Sequence, residues 1–205
     1  MVAPHPLVTE TARLCLRLLD ERDRELYCSL YTDPRAMRLI STPLDPNTVN
    51  ASFASALRAN RRSPIFPTSG NSHAPAPAWS GESPFEALPW KQREAPSQGL
   101  RVVAETADSG EAVAIYGLER WDASGAQWEM GVMAPAQTHG RGYAVEGMLA
   151  LVERLFAAGA ARILLRCRAE NLSACRVARR MGFLGREVES DDGRVMLWVR
   201  LAHGD

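Results

Sequence analysis

A chain of 205 residues is long enough for one domain with a sizeable core and short for two. Its 24 basic side chains balance 24 acidic ones, which excludes the broad electrostatic attraction that carries nucleic-acid or anionic-membrane binding. Cys15, Cys28, Cys167 and Cys175 are scattered without a C-x-x-C pair, against a zinc ribbon or a disulfide framework and in keeping with a reducing compartment. No apolar run approaches the roughly 20 residues of a membrane span, and MVAPHPLVTE lacks a basic-then-apolar signal pattern, so a soluble cytoplasmic protein is expected.

From Thr11 the segment TARLCLRLL alternates, with Leu14, Leu16 and Leu18 opposite Arg13, Cys15 and Arg17, as in a half-buried strand. Asp20 to Asp23 offers caps for a helix carrying Leu26, Leu30 and Tyr31, which must stop near Asp33-Pro34 because the residue before proline avoids the α region. A second helix is expected from Asn47, whose side chain can accept first-turn amides, with Val49, Phe53 and Leu57 as its apolar stripe, fading near Arg61-Arg62. Residues 63 to 98 hold seven of the thirteen prolines, so regular structure is not expected there. Yet Ile65, Phe66, Trp79, Phe85 and Trp90 are more apolar surface than a solvated linker needs. An ordered cover and a mobile loop are both open, and the aromatics make this insert the candidate substrate lid.

LRVVAE and EAVAIYGLERW read as a hairpin turning at Asp108-Ser109-Gly110, and QWEMGVM as the next strand. Tyr143 to Ala158 then repeats apolar groups at Ala144, Met148, Val152 and Phe156, with Leu151 and Leu155 alongside, a long helix closed by Gly159. RILLRC is a short strand. LSACRVARRM is a helix with Leu172, Cys175, Ala178 and Met181 inward, and FLGREVES and RVMLWVRL make a second hairpin at Asp192-Gly193. This order predicts an α+β domain over residues 1 to 205, with a mostly antiparallel sheet and one parallel pairing in its middle.

The run QTHGRGYAVEG joins a strand to a helix. Free amides at a helix N-terminus, glycines that allow close approach and the positive end of the macrodipole make such a junction an anion site. Position 145 is Val where a dinucleotide fingerprint has glycine, and the Lys-Ser/Thr pair of a P-loop is missing. Taken alone, a plain strand-to-helix turn explains these residues equally well.

The spaced set Thr11-x-Arg13-Leu14-x-Leu16-Arg17, Gly131, Gly140-Arg141-Gly142-Tyr143-Ala144-x-Glu146 and Glu170-Asn171 through Val177 to Gly182-Phe183 resembles the GNAT acyl-CoA N-acyltransferases, most closely the RimJ/RimL-like group of ribosomal-protein N-acetyltransferases. The resemblance spans everything except the termini and the proline-rich insert. It implies the GNAT fold and an acetyl-CoA-dependent transfer to a primary amine, on a small molecule or a protein N-terminus, by direct attack on the thioester. It also aligns the phosphate loop with His139 to Ala144, His139 standing where the family has Arg or Gln. By the same resemblance, amides of Gln137, Thr138, His139, Gly140, Arg141, Gly142, Tyr143 and Ala144 hold pyrophosphate, and the Val132, Met133 and Ala134 backbone supplies oxyanion donors.

Amine acylation needs a neutral nucleophile, donors for the developing oxyanion and a proton for the thiolate. Glu129, upstream on the same strand, can take the amine proton; a solvent-facing or arginine-paired carboxylate is the plainer role. The family's serine position is Ala174, so Ser173, one residue early and about 100° round the helix, is an unsecured proton donor whose plainer role is capping. Asn171 is open between a coenzyme contact and a helix cap, and Tyr143 and Glu146 are read as packing and helix-start residues. Neither a metal, nucleic acid nor a membrane is implied, and a homodimer stays open. The alternative is a non-catalytic GNAT-fold protein that binds or senses acyl-CoA; a third reading is an unrelated phosphate-binding domain.

Overall fold

The computed structural model describes residues 5–62, 83–85, 99–121, 125–190 and 193–202. Its strands are β1 (Thr9–Glu10), β2 (Leu14–Leu18), β3 (Leu100–Thr106), β4 (Ala112–Arg120), β5 (Gln127–Met133), β6 (Arg162–Arg168), β7 (Leu184–Ser190) and β8 (Gly193–Leu201), and its helices are α1 (Arg24–Thr32), α2 (Pro34–Met37), α3 (Pro46–Arg62), α4 (Tyr143–Ala157) and α5 (Leu172–Arg180). The strands form one sheet in the order β1-β2-β3-β4-β5-β6-β8-β7. Only β5 and β6 are parallel, joined by the α4 crossover; every other pairing is antiparallel. The expected α+β order and the single central parallel pair are therefore present.

Because neighbouring strand residues point to opposite faces, the sheet has two cores. Leu16, Val102, Tyr116, Leu118, Trp128 and Met130 pack with Met148, Leu151, Val152 and Leu155 of α4 and Cys175 and Ala178 of α5. Val103 and Ile115, one residue out of step, pack with Tyr27 and Leu30 of α1 and Phe53 and Leu57 of α3. At the seam, Arg17 donates to both oxygens of buried Asp23 at 2.7 Å and to Glu105 at 2.5 Å, tying the start of α1 to the sheet.

Several boundaries shift. The first strand starts regularly at Leu14 rather than Thr11, because Thr11 Oγ1 accepts the Leu14 amide at 3.0 Å and folds residues 11 to 13 into a turn. The short β1 on its far side, Thr9 opposite Leu16, was not anticipated. The second long helix begins at Pro46, and its cap is Asp45 rather than Asn47: Asp45 Oδ1 accepts the amides of Asn47 (2.9 Å) and Thr48 (3.2 Å), and proline suits the first helical position. Asp33, which ends α1, also caps the unanticipated α2 by accepting the Arg35 amide at 2.8 Å. Leu172, expected inward, is 66% exposed at the first position of α5, where few neighbours fix the facing of a side chain.

The proline-rich insert lies outside the described residues except Ser83, Pro84 and Phe85, and with it the lid expectation for Ile65, Phe66, Trp79 and Trp90. The described fragment meets the sheet, where the buried Arg162 guanidinium donates to the Pro84 carbonyl at 3.1 Å.

Candidate functional site

The parallel pairing of β5 and β6 runs from Gln127 opposite Arg162 to Met130 opposite Leu165 and goes no further. Both strands continue, β5 to Met133 and β6 to Arg168, so the sheet forks there. On its other side β5 stays paired with β4 through Met133. Gly131, Val132 and Met133 thus present an open backbone edge to the fork, and a side chain added at Gly131 would meet nothing within 4 Å. A strand edge of this kind accepts an extended, amide-bearing ligand as an added strand.

The same stretch of chain leads into the loop. Beyond Ala134 and Pro135 comes a 3-10 turn over Ala136–Thr138, whose geometry consumes two of the amides expected to hold phosphate: Thr138 donates to Pro135 O at 2.9 Å and His139 to Ala136 O at 3.2 Å. The buried Thr138 hydroxyl is likewise taken, by Val113 O and Pro135 O. Gly140 and Gly142 then adopt φ of +76° and +84°, a left-handed conformation that side chains resist. Helix α4 starts at Tyr143, and its first amide bonded back into the chain is that of Glu146, to Gly142 O at 3.0 Å. Among the described residues the amides of Gly140, Arg141, Gly142, Tyr143, Ala144 and Val145 have no protein acceptor. That is an anion nest at the positive end of a fifteen-residue helix. The helix start agrees with the helix expected from Tyr143 and leaves Gly142 at the boundary. His139 turns its Nε2 to the Ala134 carbonyl at 2.9 Å, bracing the turn from within.

Glu129 lies one same-face step before the fork. Its carboxylate accepts the Trp121 indole N–H at 2.9 Å and pairs with Arg166 of β6 at 3.3 Å, with 15% of its side chain exposed. The arginine-paired role anticipated for this residue is thus present. Across the β4–β5 ladder it faces Glu119, itself 3.6 Å from Arg101. Two carboxylates directly opposed across a ladder repel, and the two arginines offset that repulsion.

At the start of α5 the Asn171 side chain accepts the Ala174 amide at 3.1 Å and is the helix cap. Ser173 is exposed and leaves the capping to Asn171. On β6, Cys167 lies 3.8 Å from Cys175, and burial with the neighbouring thiol pushes its ionisation up to about 12, so it is held as a thiol. All four cysteines are free.

The family model of the acetyltransferase (GNAT) domain matches residues 13–184. The chain belongs to the GNAT acetyltransferases. Among solved structures, this acetyltransferase is similar to a GNAT-family acetyltransferase from Bacillus anthracis, with 13% identity over 94% of this chain and 97% of the other and a TM-score of 0.69. It is also similar to RimL, the ribosomal L7/L12 alpha-N-protein acetyltransferase solved with coenzyme A, at 13% identity, 97% and 99% coverage and a TM-score of 0.70. An aminoglycoside acetyltransferase solved with coenzyme A follows at 16% identity, 92% and 94% coverage and a TM-score of 0.63. At these identities the likeness is one of fold. No curated protein matches the sequence significantly.

One residue beside this GNAT chain's loop, read from the sequence only as a packing or helix-start residue, has a larger part in the structure. Glu146, in the first turn of α4, is reached from the β1–β2 turn by Arg13 and Thr11, 133 and 135 residues away. Burial would raise its carboxyl, but hydrogen bonds from Thr11 and Arg13 outweigh that and leave it below its ordinary value. Thr11-x-Arg13 and Glu146 both stand in the sequence motifs, whereas their pairing is not legible there, because nothing local links the two segments.

Proposed function

We propose that this acetyltransferase carries an acetyl group from acetyl-CoA to a primary amine by direct attack of the amine on the thioester. The observation that carries the reading is that one unbroken stretch, Gly131 to Val145, offers first an open strand edge and then a nest of free amides. Acetyl-CoA, the acyl-donor substrate, has the matching order of parts: an amide-bearing arm that can lie along the edge and a pyrophosphate for the nest. In this reading Gly140 to Ala144 hold the phosphates, Gln137, Thr138 and His139 shape the turn before them, and backbone of Val132, Met133 and Ala134 faces the reacting carbonyl and its developing negative charge.

The amine nitrogen bonds to the carbonyl carbon, the carbon–sulfur bond breaks, and the thiolate leaves. Glu129 takes the amine's proton, directly or through water, while Arg166 and the Trp121 indole hold its carboxylate in place. Ser173 is the nearest serine to the family's proton-donor position, and its exposure leaves solvent as a competing proton source for the thiolate. RimL is named for a protein acceptor and the third relative for aminoglycosides, and the acceptor of this chain is proposed no more narrowly than a primary amine.

Purified protein given acetyl-CoA and a broad panel of amines is expected to release thiol with at least one of them. Glu129→Gln is expected to lower kcat on the order of 100-fold, the low end for a lost general base. Absence of both coenzyme binding and thiol release across the panel overturns the reading, and an undiminished kcat in Glu129→Gln removes Glu129 from it.

A further inference from the structure

We infer that Arg13, distant in sequence from the loop and on another element, is the positioning residue that aims the phosphate nest; the inference rests on the acetyl-CoA reading above. Arg13 is joined to α4 and the loop before it by four polar contacts. Its backbone amide donates to Glu146 Oε1 at 3.0 Å, its Nε to Glu146 Oε2 at 2.7 Å, its Nη2 lies 2.5 Å from the same oxygen, and its Nη1 donates to the Arg141 carbonyl at 3.0 Å. Its guanidinium stands 4.9 Å from the centre of the Tyr143 ring, and a methyl group at Gly142 would lie 3.4 Å from Nη2. One side chain therefore touches the last loop peptide, the first helical residue and the first-turn carboxylate.

Two consequences follow. In a trans peptide the carbonyl and the N–H point in opposite directions. Holding the Arg141 carbonyl on Arg13 turns the Gly142 N–H away from Arg13 and into the nest. Second, a carboxylate in the first turn of a helix competes with an anion for the same positive end. Here both Glu146 oxygens are occupied: Oε1 by the Thr11 hydroxyl (2.6 Å) and the Arg13 amide, Oε2 by the guanidinium. Its charge is matched by an opposite one, and its acceptors are turned to the β1–β2 turn, so the nest stays available. Glu146 is in this sense the anchor for Arg13, and Arg13 the part that reaches the loop.

The test compares two donors on the full chain: acetyl-CoA, and S-acetylpantetheine, which has the same reacting end and arm without the pyrophosphate. Arg13→Ala is expected to raise KM for acetyl-CoA and weaken coenzyme A binding in calorimetry about tenfold, the loss of roughly one hydrogen bond to a charged group, with kcat little changed. Its kinetics with S-acetylpantetheine are expected to match the parent protein. Arg13→Lys, which keeps the charge without the fork of donors, is expected to fall between, and it serves as the folded comparison should the alanine variant unfold. Coenzyme A affinity within twofold of the parent in both variants, or equal losses with both donors, overturns the inference. If the parent protein itself binds no coenzyme A, it is the acetyl-CoA reading that fails.

Discussion

At Gly147 a methyl group would stand 2.2 Å from the Tyr116 hydroxyl oxygen and 2.6 Å from the ring carbon that bears it. The helix that carries the anion nest can approach the sheet this closely only because that position has no side chain. Tyr116 is fully buried on β4, its ionisation pushed up by burial and by the charge of Glu146, and it donates to the Tyr143 carbonyl at 3.1 Å. Its ring is packed in the core, so the clash cannot be relieved by swinging a free end. Gly147→Ala gains helix propensity of about 1 kcal/mol, but overpacking is expected to cost about 1–3 kcal/mol and to shift α4 against β4. The net effect is a lower melting temperature and weaker coenzyme A binding, read by thermal unfolding and calorimetry. A midpoint that rises would show that Tyr116 yields without resistance. Glu129 makes a different point at the same scale. Its place on the strand that leads into the loop was legible from the order of residues, whereas its indole and arginine donors depend on a hairpin turn and a parallel strand that no local pattern specifies.

Among the elements, α5 shows most clearly what a cap contributes. It has nine residues, only Cys175 and Ala178 are deeply buried, and Asn171 satisfies the Ala174 amide at its start. Asn171→Ala is expected to lower stability by about 1 kcal/mol without coenzyme, measured by chemical denaturation. An additional loss of coenzyme A affinity would assign Asn171 a ligand contact beyond the cap. The starts of α4 and α5 were legible because glycines and asparagines that stop and cap a helix act on their own neighbours, whereas Asp33-Pro34 was read only as the stop of α1 and not as the start of α2. Asp45 in place of Asn47 shows the limit, since two capping residues flank Pro46 and the preference of proline for the first helical position selects the one before it. The inward stripe of α4 was legible because Met148, Leu151, Val152 and Leu155 recur at helical spacing, while Leu172 on α5 was misplaced because a first turn has too few neighbours to fix its facing.

For the whole molecule, the Arg13 and Glu146 contacts tie the first hairpin to the central helix and make part of the stability depend on pH. The folded-state ionisation of Glu146 lies below its ordinary value of 4.5. Its contribution is therefore full above that value and is lost as pH falls through the folded-state value. The parent protein is expected to melt higher than Glu146→Gln at neutral pH, with the gap closing as pH drops below about 4.5, the ordinary value where linkage begins to act. Scans of both proteins from pH 7 to pH 3 check this, and a gap that widens on acidification would contradict the sign. Among the described residues no helix is long and apolar enough to cross a membrane, as the hydropathy of the sequence led one to expect.

Amino-acid order alone determined the strands and helices other than β1 and α2, and the junction at Gly142-Tyr143, because alternation, helical spacing and capping are interactions among near neighbours. It also led to the single parallel pair in the middle of the sheet, since β5, α4 and β6 in succession suit a crossover between parallel neighbours. Tertiary structure decided the rest. That β5 and β6 part company after Met130 and Leu165 depends on how the two strands are covered and twisted, and that Arg13 meets Glu146 and Arg141 depends on a hairpin folding back over more than a hundred residues. The amides of the nest are written in local conformation, whereas their direction is set by a side chain that only the folded sheet brings within reach.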